Sequence, residues 1–232
     1  MKGMDIPQAM LDRVAERRGT VHPFAELVAS RVALVVVDLQ NGFMDPEVGH
    51  AVCPAARDIV PNVNRLAAAV RATGGGVFWI KNTFNARSAV EWSVMQEMAT
   101  PAQRQKRAAS MSEGTKGHEL WPLLEVQPQD EVVLKYRYSA FLPGACDLPG
   151  MLRGRRLDTV LITGTVTNVC CESSARDAMM TNFKTVMISD GNAAATLEEH
   201  SASLFAFYNA FGDVMDTDYA IGRLTRAVSQ AA

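Results

Sequence analysis

The feature of this sequence that most constrains its fold is the run VALVVV at residues 32–37, which is continuous, apolar and rich in β-branched side chains. Such a run is typical of a strand buried on both faces, and strands of this kind occur in parallel sheets that helices cover on either side. The run ends at Asp38, and the LQNGFMDP that follows has the glycine and the Asp-Pro pair of a loop. The sequence therefore predicts a buried parallel strand that places a carboxylate at one edge of a sheet.

Apolar runs and helical patterns alternate along the rest of the chain. Predicted strands lie at residues 76–80, 131–135, 158–163 and 184–189, with a possible sixth at 213–215. Helical patterns lie between them, at residues 58–72, 147–156, 168–183 and 197–211, whereas the polar segment 82–117 has no strand signal and no clear helix. This alternation predicts an α/β fold: a single three-layer α/β/α domain over residues 29–232 with a mostly parallel sheet of five or six strands, preceded by a lead-in segment at 1–28.

Composition narrows the classes of partner and compartment. The 232 residues carry a formal net charge of -2, which gives no reason to expect nucleic acid or an anionic membrane as a partner. No apolar run reaches the roughly 18 residues that a membrane-spanning helix needs. The first residues lack the apolar core of a secretory signal, and the four cysteines have neither a disulfide-framework spacing nor a zinc spacing. We expect a cytoplasmic protein with reduced thiols.

Three reactive side chains follow predicted strands at their carboxyl ends, the edge at which open α/β sheets bind ligands. Asp38 closes the first strand, Lys135 closes the third, and Cys170 follows the fourth after a turn at residues 164–168. Singly, each has an ordinary explanation as a loop aspartate, a solvated lysine or a small core residue. Together they indicate a nucleophilic thiol, which needs a base for its proton and positive charge to favour the thiolate.

The segments that carry these residues resemble the motifs of a known family. VVVDLQNGFM, KYRYSAF and GTVTNVCCESSARDA, in this order, are similar to the Asp, Lys and Cys motifs of isochorismatase-like cysteine hydrolases, and the likeness spans roughly residues 31–220. The resemblance implies that Asp38, Lys135 and Cys170 are catalytic and that Cys171 is structural. It also implies a cis peptide between Thr165 and Val166, and an oxyanion hole formed by the backbone N–H groups of Val166 and Cys170.

The same resemblance implies an amidohydrolase that cleaves a C–N bond of a small amide or ureide through a thioester. The stretches around Asn82 and KYRYSAF are most similar to ureidoacrylate and related carbamoyl amidohydrolases, in which the residues at the positions of Asn82 and Tyr138 lie near the substrate. Family members that bind a metal carry an Asp-x-His after the second strand, where this chain has WIKNTFNARS without histidine. We therefore expect no metal and no other cofactor. Members of the family are usually dimers or tetramers, so we expect a homo-oligomer.

Several alternatives stay open at this level. Asn82 is either a substrate-binding residue or an ordinary loop asparagine, and Tyr138 is either a substrate-binding residue or a packed aromatic side chain. Arg87 or Arg137 is a candidate to bind a substrate carboxylate, although surface arginines are commonly just solvated. The apolar side chains at 179, 180 and 183 suit either the core or a subunit interface. The substrate is alternatively a simple carboxamide, and a catalytically idle domain that acts as a binding or assembly module is the competing class.

Overall fold

The computed structural model describes residues 6–231, with side chains up to residue 228, as a six-stranded sheet with helices on both faces. All neighbouring strands are parallel, in the order β3-β2-β1-β4-β5-β6. The strands are β1 (Val32–Val37), β2 (Gly76–Asn82), β3 (Glu131–Lys135), β4 (Thr159–Thr165), β5 (Lys184–Ala193) and β6 (Asp213–Met215). The predicted α/β fold with a parallel sheet is confirmed.

Ten α-helices connect or flank these strands in the described part of the chain. They are α1 (Gln8–Arg18), α2 (Asn41–Met44), α3 (Val60–Ala72), α4 (Ala86–Glu91), α5 (Ser93–Glu97), α6 (Pro101–Met111), α7 (Leu148–Gly154), α8 (Glu172–Met180), α9 (Leu197–Ala210) and α10 (Thr217–Ala231). None of the helices within residues 6–231 has both the length and the apolarity to cross a membrane.

The alternating side chains of β1 serve two separate cores, which explains why all six of its residues are apolar. Val32, Leu34 and Val36 pack in one cluster, on the face covered by α3 and α10. The intervening Ala33, Val35 and Val37 pack in the other, on the face covered by α7, α8 and α9. Because successive side chains of a strand point to opposite faces, a central strand with helices on both sides cannot alternate apolar with polar residues.

The structure corrects several element boundaries. Three strands are longer at their carboxyl ends than predicted, because β2 continues to Asn82, β4 to Thr165 and β5 to Ala193. The polar segment that had no clear helix forms α4, α5 and α6, and the predicted helix at 168–183 begins as a π-helical turn and ends at Met180. The periodic patterns identified the strands and the helices α3, α7, α8 and α9, but not α4, α5, α6 or α10. The ends of the elements depend on hydrogen bonds that the patterns do not report.

The segment predicted as a lead-in packs against the domain. Val14 of α1 is fully buried in the same cluster as the inward face of α8. The guanidinium of Arg18 donates to the carbonyl of Gly212 at 2.8 Å, and the Tyr208 hydroxyl donates to the carbonyl of Val21 at 2.6 Å. Residues 1–5, and residue 232 at the other end, lie outside the described residues. The division between 28 and 29 stays a prediction.

The side chains considered for a subunit interface separate into two groups. Phe183 is buried in the core, whereas Met180 is 63% exposed and Met179 is 39% exposed at the end of α8. Only the two methionines are accessible to a second subunit. Self-association itself stays a prediction.

Candidate active site

The strand order reverses between β1 and β4, and this reversal creates the crevice in which open α/β sheets bind ligands. Asp38 directly follows β1, and the nucleophile motif directly follows β4. Lys135 ends β3, two strands away from β1, with Asn82 as its paired neighbour on β2. Neighbouring strands lie roughly 5 Å apart, so an extended lysine side chain is needed to span β2 and meet the aspartate.

Asp38 and Lys135 form a buried ion pair. Both side chains are fully inaccessible, and the Lys135 Nζ donates to Asp38 Oδ2 at 2.8 Å and to the carbonyl of Arg137 at 3.0 Å. The second carboxylate oxygen, Oδ1, is buried and has no hydrogen-bond partner among the described residues. Asp38 has a φ of 55°, a left-handed conformation that aspartate tolerates better than most residues. One oxygen is thus held by lysine and the other is left to accept a proton.

Cys170 lies in a π-helical turn, Thr167–Cys171, that connects β4 to α8. The peptide bond between Thr165 and Val166 is cis, as the family resemblance implied. The carbonyl of Val166 accepts hydrogen bonds from the N–H groups of Val169 at 3.0 Å and Cys171 at 3.2 Å, on either side of Cys170 in sequence. Cys170 lies one residue before the N-cap of α8. The partial positive charge at the N-terminus of a helix favours the thiolate form of a nearby cysteine.

Gly164 is what allows the end of β4 to approach the end of β1 so closely. It pairs with Val37 and has a φ of +121°, and a Cβ built on it would lie 2.0 Å from the Val37 carbonyl oxygen. No side chain fits in that space, because the obstruction is backbone. The glycine of the nucleophile motif thus sets the distance between the segment that carries Cys170 and the strand that carries Asp38.

Hydrogen bonds from two neighbouring segments hold the nucleophile turn. The hydroxyl of Ser174 donates to the Cys170 carbonyl at 2.7 Å and accepts from the N–H of Ala140, which belongs to the lysine motif. On the other side, His200 of α9 bonds through Nδ1 to the Thr167 hydroxyl at 2.9 Å. These hydrogen bonds fix the backbone turn that carries the buried thiol.

Burial dominates the protonation equilibria of this centre. It raises the pKa of the Cys170 thiol to about 12, with Lys135 opposing the rise and Asp38 adding to it. Burial also raises the pKa of Asp38, against the ammonium of Lys135 and the hydrogen bonds to the carboxyl. For Lys135, burial lowers the pKa, but Asp38 and Cys170 together outweigh burial, and the net shift is upward. At neutral pH the thiol is therefore protonated, and a thiolate forms only when the proton leaves for a neighbouring base.

The thiol opens onto a cavity of about 280 Å³. The predicted residues Asn82, Tyr138 and Val166 line this cavity together with Cys170, whereas the ion pair lies beneath the thiol and does not line it. The Tyr138 hydroxyl donates to the sulfur of Met95 at 3.2 Å. The structure thus brings all six predicted site residues to one place, with two layers: a charged pair below and an accessible surface above.

The adjacent Cys171 differs from Cys170 in access. It is fully buried in the core under α8 and does not line the cavity, whereas Cys170 is 3% exposed and does. Burial raises the pKa of the Cys171 thiol well above its ordinary value. Of these two neighbouring thiols, only Cys170 faces a space that a substrate can enter.

Two cavity residues, Arg107 and His50, were not identified in the sequence. Arg107 lies on α6, and His50 follows the loop after β1. The arginines considered earlier lie elsewhere: Arg87 is 83% exposed and paired with Glu91, and Arg137 bonds to backbone carbonyls and also contacts Glu91. The sequence of α6 is mostly polar, so its pattern gave no indication that the Arg107 side chain faces the cavity.

The part of the chain that the structure describes contains no group of three or more His, Cys, Asp or Glu side chains arranged to hold a metal ion. His118 and His200 instead bond to threonine hydroxyls, at 2.8 Å and 2.9 Å. His22 pairs with Asp213.

A parallel sheet whose strand ends bring a thiol, a carboxylate and an ammonium group together, with the thiol facing a cavity, defines an α/β protein with a thiol-centred site. The sequence model of the Isochorismatase domain matches residues 32–219, and the chain therefore belongs to the isochorismatase family of hydrolases.

Several of the proteins that this chain is similar to are named as amidohydrolases. The chain is 30% identical to ureidoacrylate amidohydrolase RutB of Pseudomonas savastanoi pv. phaseolicola (strain 1448A / Race 6), over 93% of this chain and 91% of that protein. It is 32% identical to the protein of the same name from Variovorax paradoxus (strain S110), over 83% and 81% of the two chains. The crystal structure of a cysteine hydrolase from Pseudomonas syringae pv. phaseolicola 1448A superposes with a TM-score of 0.79 at 28% identity, covering 87% of this chain and 96% of that one.

Proposed function

We propose that this protein is a cysteine-dependent amidohydrolase that cleaves a C–N bond of a small amide or ureide through a thioester intermediate. The observation that carries the proposal is the placement of Cys170 between a cavity and the Asp38–Lys135 ion pair, with one carboxylate oxygen left without a partner among the described residues. Names of relatives at 30% and 32% identity support the same class of reaction.

The first stage begins with transfer of the Cys170 proton to Asp38 Oδ1. Because the resting thiol has a pKa of about 12, this transfer accompanies attack on the substrate carbonyl rather than preceding it. Lys135 holds the other carboxylate oxygen and compensates the charge that moves to sulfur. The backbone N–H groups of Val166 and Cys170 stabilise the tetrahedral oxyanion.

The second stage returns the enzyme to its starting state. The intermediate collapses as Asp38 gives its proton to the departing nitrogen, and ammonia or an amine leaves while the acyl group stays on Cys170 sulfur as a thioester. Asp38, again a carboxylate, then removes a proton from water, which attacks the acyl carbon. The C–S bond breaks, the acid product leaves, and the thiol regains its proton.

Steady release of ammonia from a panel of carbamoyl compounds and plain carboxamides tests the proposal. Ureide turnover supports the carbamoyl class, whereas turnover of carboxamides alone favours the simple amidase. No ammonia from any member, with Cys170 intact by mass spectrometry, favours a catalytically idle domain. The matched variants are Cys170→Ala, which we expect to be inactive, and Cys171→Val, which we expect to keep most of the activity.

A further inference from the structure

Arg107 is a buried cation whose hydrogen-bonding capacity is unused. Its side chain projects from α6 into the cavity, and the residue is 9% exposed. Within residues 6–228 the guanidinium makes no hydrogen bond and no ion pair; it lies over the ring of Trp92, 5.5 Å from the ring centroid. A guanidinium has five N–H donors, and a buried charge without a polar partner is unfavourable. The geometry indicates an anionic partner that arrives with a ligand.

The charges of the other cavity residues also favour an anionic ligand. Of the described residues that line it, two are arginines, Arg104 and Arg107, and none is acidic. The Arg104 guanidinium is already engaged, since it donates to the carbonyl of Gln96 at 3.0 Å. The negative charge of Asp38 lies beneath the thiol and is neutralised by Lys135. An incoming anion therefore meets two cations, of which Arg107 has no hydrogen bond within the described residues, and no opposing carboxylate.

His50 also lines the same cavity. Its Nδ1 is buried and has no hydrogen-bond partner in the described part of the chain. Burial, together with the charge of Arg107, lowers the pKa of His50 to about 4, so the ring is neutral at neutral pH. A neutral imidazole is able to donate one N–H to a carboxylate without adding a charge to the pocket.

We propose that Arg107, with His50 beside it, binds a carboxylate group of the substrate and selects acidic amides or ureides over uncharged ones. This inference rests on the proposed amidohydrolase function and adds the substrate's charge to it. The planar guanidinium fork matches the two oxygens of a carboxylate. Binding the carboxylate there places the other end of a short substrate at Cys170, on the same cavity, so recognition and chemistry occupy separate walls.

The first test measures binding without turnover. Butyrate should protect Cys170 from alkylation by iodoacetamide, followed by mass spectrometry of the labelled peptide, whereas uncharged 1-butanol should protect poorly. In Arg107→Met the butyrate concentration for half-protection should rise by roughly tenfold or more, the usual effect of losing a charge-assisted bond. Lys106→Met removes an exposed cation from the same helix and should leave protection unchanged. Equal protection by butyrate in the parent and in Arg107→Met, or equal protection of the parent by 1-butanol, overturns the proposal.

The second test measures selectivity. In Arg107→Met, kcat/KM for 3-ureidopropionate should fall by roughly tenfold or more while that for butylurea does not fall. Arg107→Lys keeps the charge but loses the planar fork, and should weaken 3-ureidopropionate through KM; it replaces Arg107→Met if that variant does not fold. Butyrate protection that depends on Arg107, without ammonia release from any substrate, refutes the amidohydrolase function and leaves the carboxylate site. Unchanged selectivity in a folded, active variant refutes the carboxylate site and leaves the function.

Discussion

Two walls of the cavity contrast in how they are built. The strand-end wall, in which Cys170 lines the cavity and the Asp38–Lys135 pair lies beneath it, is buried, follows regular strands, and is held by short hydrogen bonds from backbone and side chains. The helical wall, residues 86–111 of α4 to α6, contributes Met95 and Arg107, and the latter has no hydrogen bond within the described residues. The strand-end wall is therefore organised before any ligand binds, whereas the helical wall keeps polar groups in reserve. From this contrast we infer that the strand ends fix the geometry of the reacting groups and that the helices α4 to α6 select the substrate.

The largest expected effect belongs to the strand-end wall. Cys170→Ala should reduce ammonia release to the uncatalysed level, because no other thiol faces the cavity among the described residues. Cys171→Val should retain most activity, since this buried core position tolerates an apolar side chain of similar volume. Steady-state kinetics on both variants makes the comparison, and an active Cys170→Ala would show that the motif register is wrong.

Asp38→Asn should lower kcat by roughly 10²–10⁴-fold, because asparagine cannot accept the thiol proton. In the parent protein kcat/KM should rise with pH as Asp38 loses its proton, and this limb should lie above the ordinary aspartate value, since burial raises the pKa of Asp38. The limb should disappear in the residual activity of the variant. If kcat/KM of the parent protein showed no acid limb above the ordinary pKa of aspartate, Asp38 would be ruled out as the base.

Gly164→Ala should destabilise the fold by about 3 kcal/mol or more, because the new Cβ meets the Val37 carbonyl in a backbone conformation that side chains disfavour. Gly114→Ala is the matched control: its φ is also positive, at +82°, but no atom lies within 4 Å of the added Cβ. That variant should lose only roughly 1 kcal/mol. Denaturant unfolding measures both, and equal losses would mean that close approach of β4 to β1 is unimportant.

The smallest effect in this series concerns Lys135. Lys135→Ala should slow the alkylation of Cys170 by iodoacetamide at a given pH, because the ammonium group lowers the pKa of the thiol and its removal raises that pKa further. An alkylation rate at Cys170 that stays the same or increases would show that Lys135 does not lower the pKa of the thiol.

The contrast between the walls also explains what sequence alone predicts. Asp38 and Lys135 end strands with strong apolar patterns, and parallel strands present their carboxyl ends at one edge, so their meeting followed from the fold class. Arg107 had no such signal. Its helix, PAQRQKRAASM, is mostly polar, and the inward direction of one arginine depends on how α6 packs against distant segments. Its neighbour in the cavity, His50, is 57 positions away in sequence and lies on a loop.

The ends of the strands show the same difference between what local patterns predict and what tertiary contacts decide. The alternation of patterns predicted five strands and a possible sixth in order, but it did not predict the extension of β2 to Asn82. There Asn82 pairs with Lys135 of β3, and the Gln40 side chain accepts from the Asn82 N–H at 2.8 Å and donates to its carbonyl at 3.2 Å. A contact across 42 positions in sequence leaves no periodic trace. Local patterns predict which elements exist, and tertiary hydrogen bonds decide where they end.

The central claim is that the acyl group is held on Cys170 as a thioester before water attacks, and partitioning with hydroxylamine tests it most directly. With an amide or ureide that the enzyme hydrolyses, added hydroxylamine should capture the thioester as a hydroxamate or an N-hydroxyurea. The ratio of captured product to hydrolysis product should rise linearly with hydroxylamine, and Cys170→Ala should form neither. Ammonia release with hydrolysis product alone at every hydroxylamine concentration, or capture that persists in Cys170→Ala, would contradict the account.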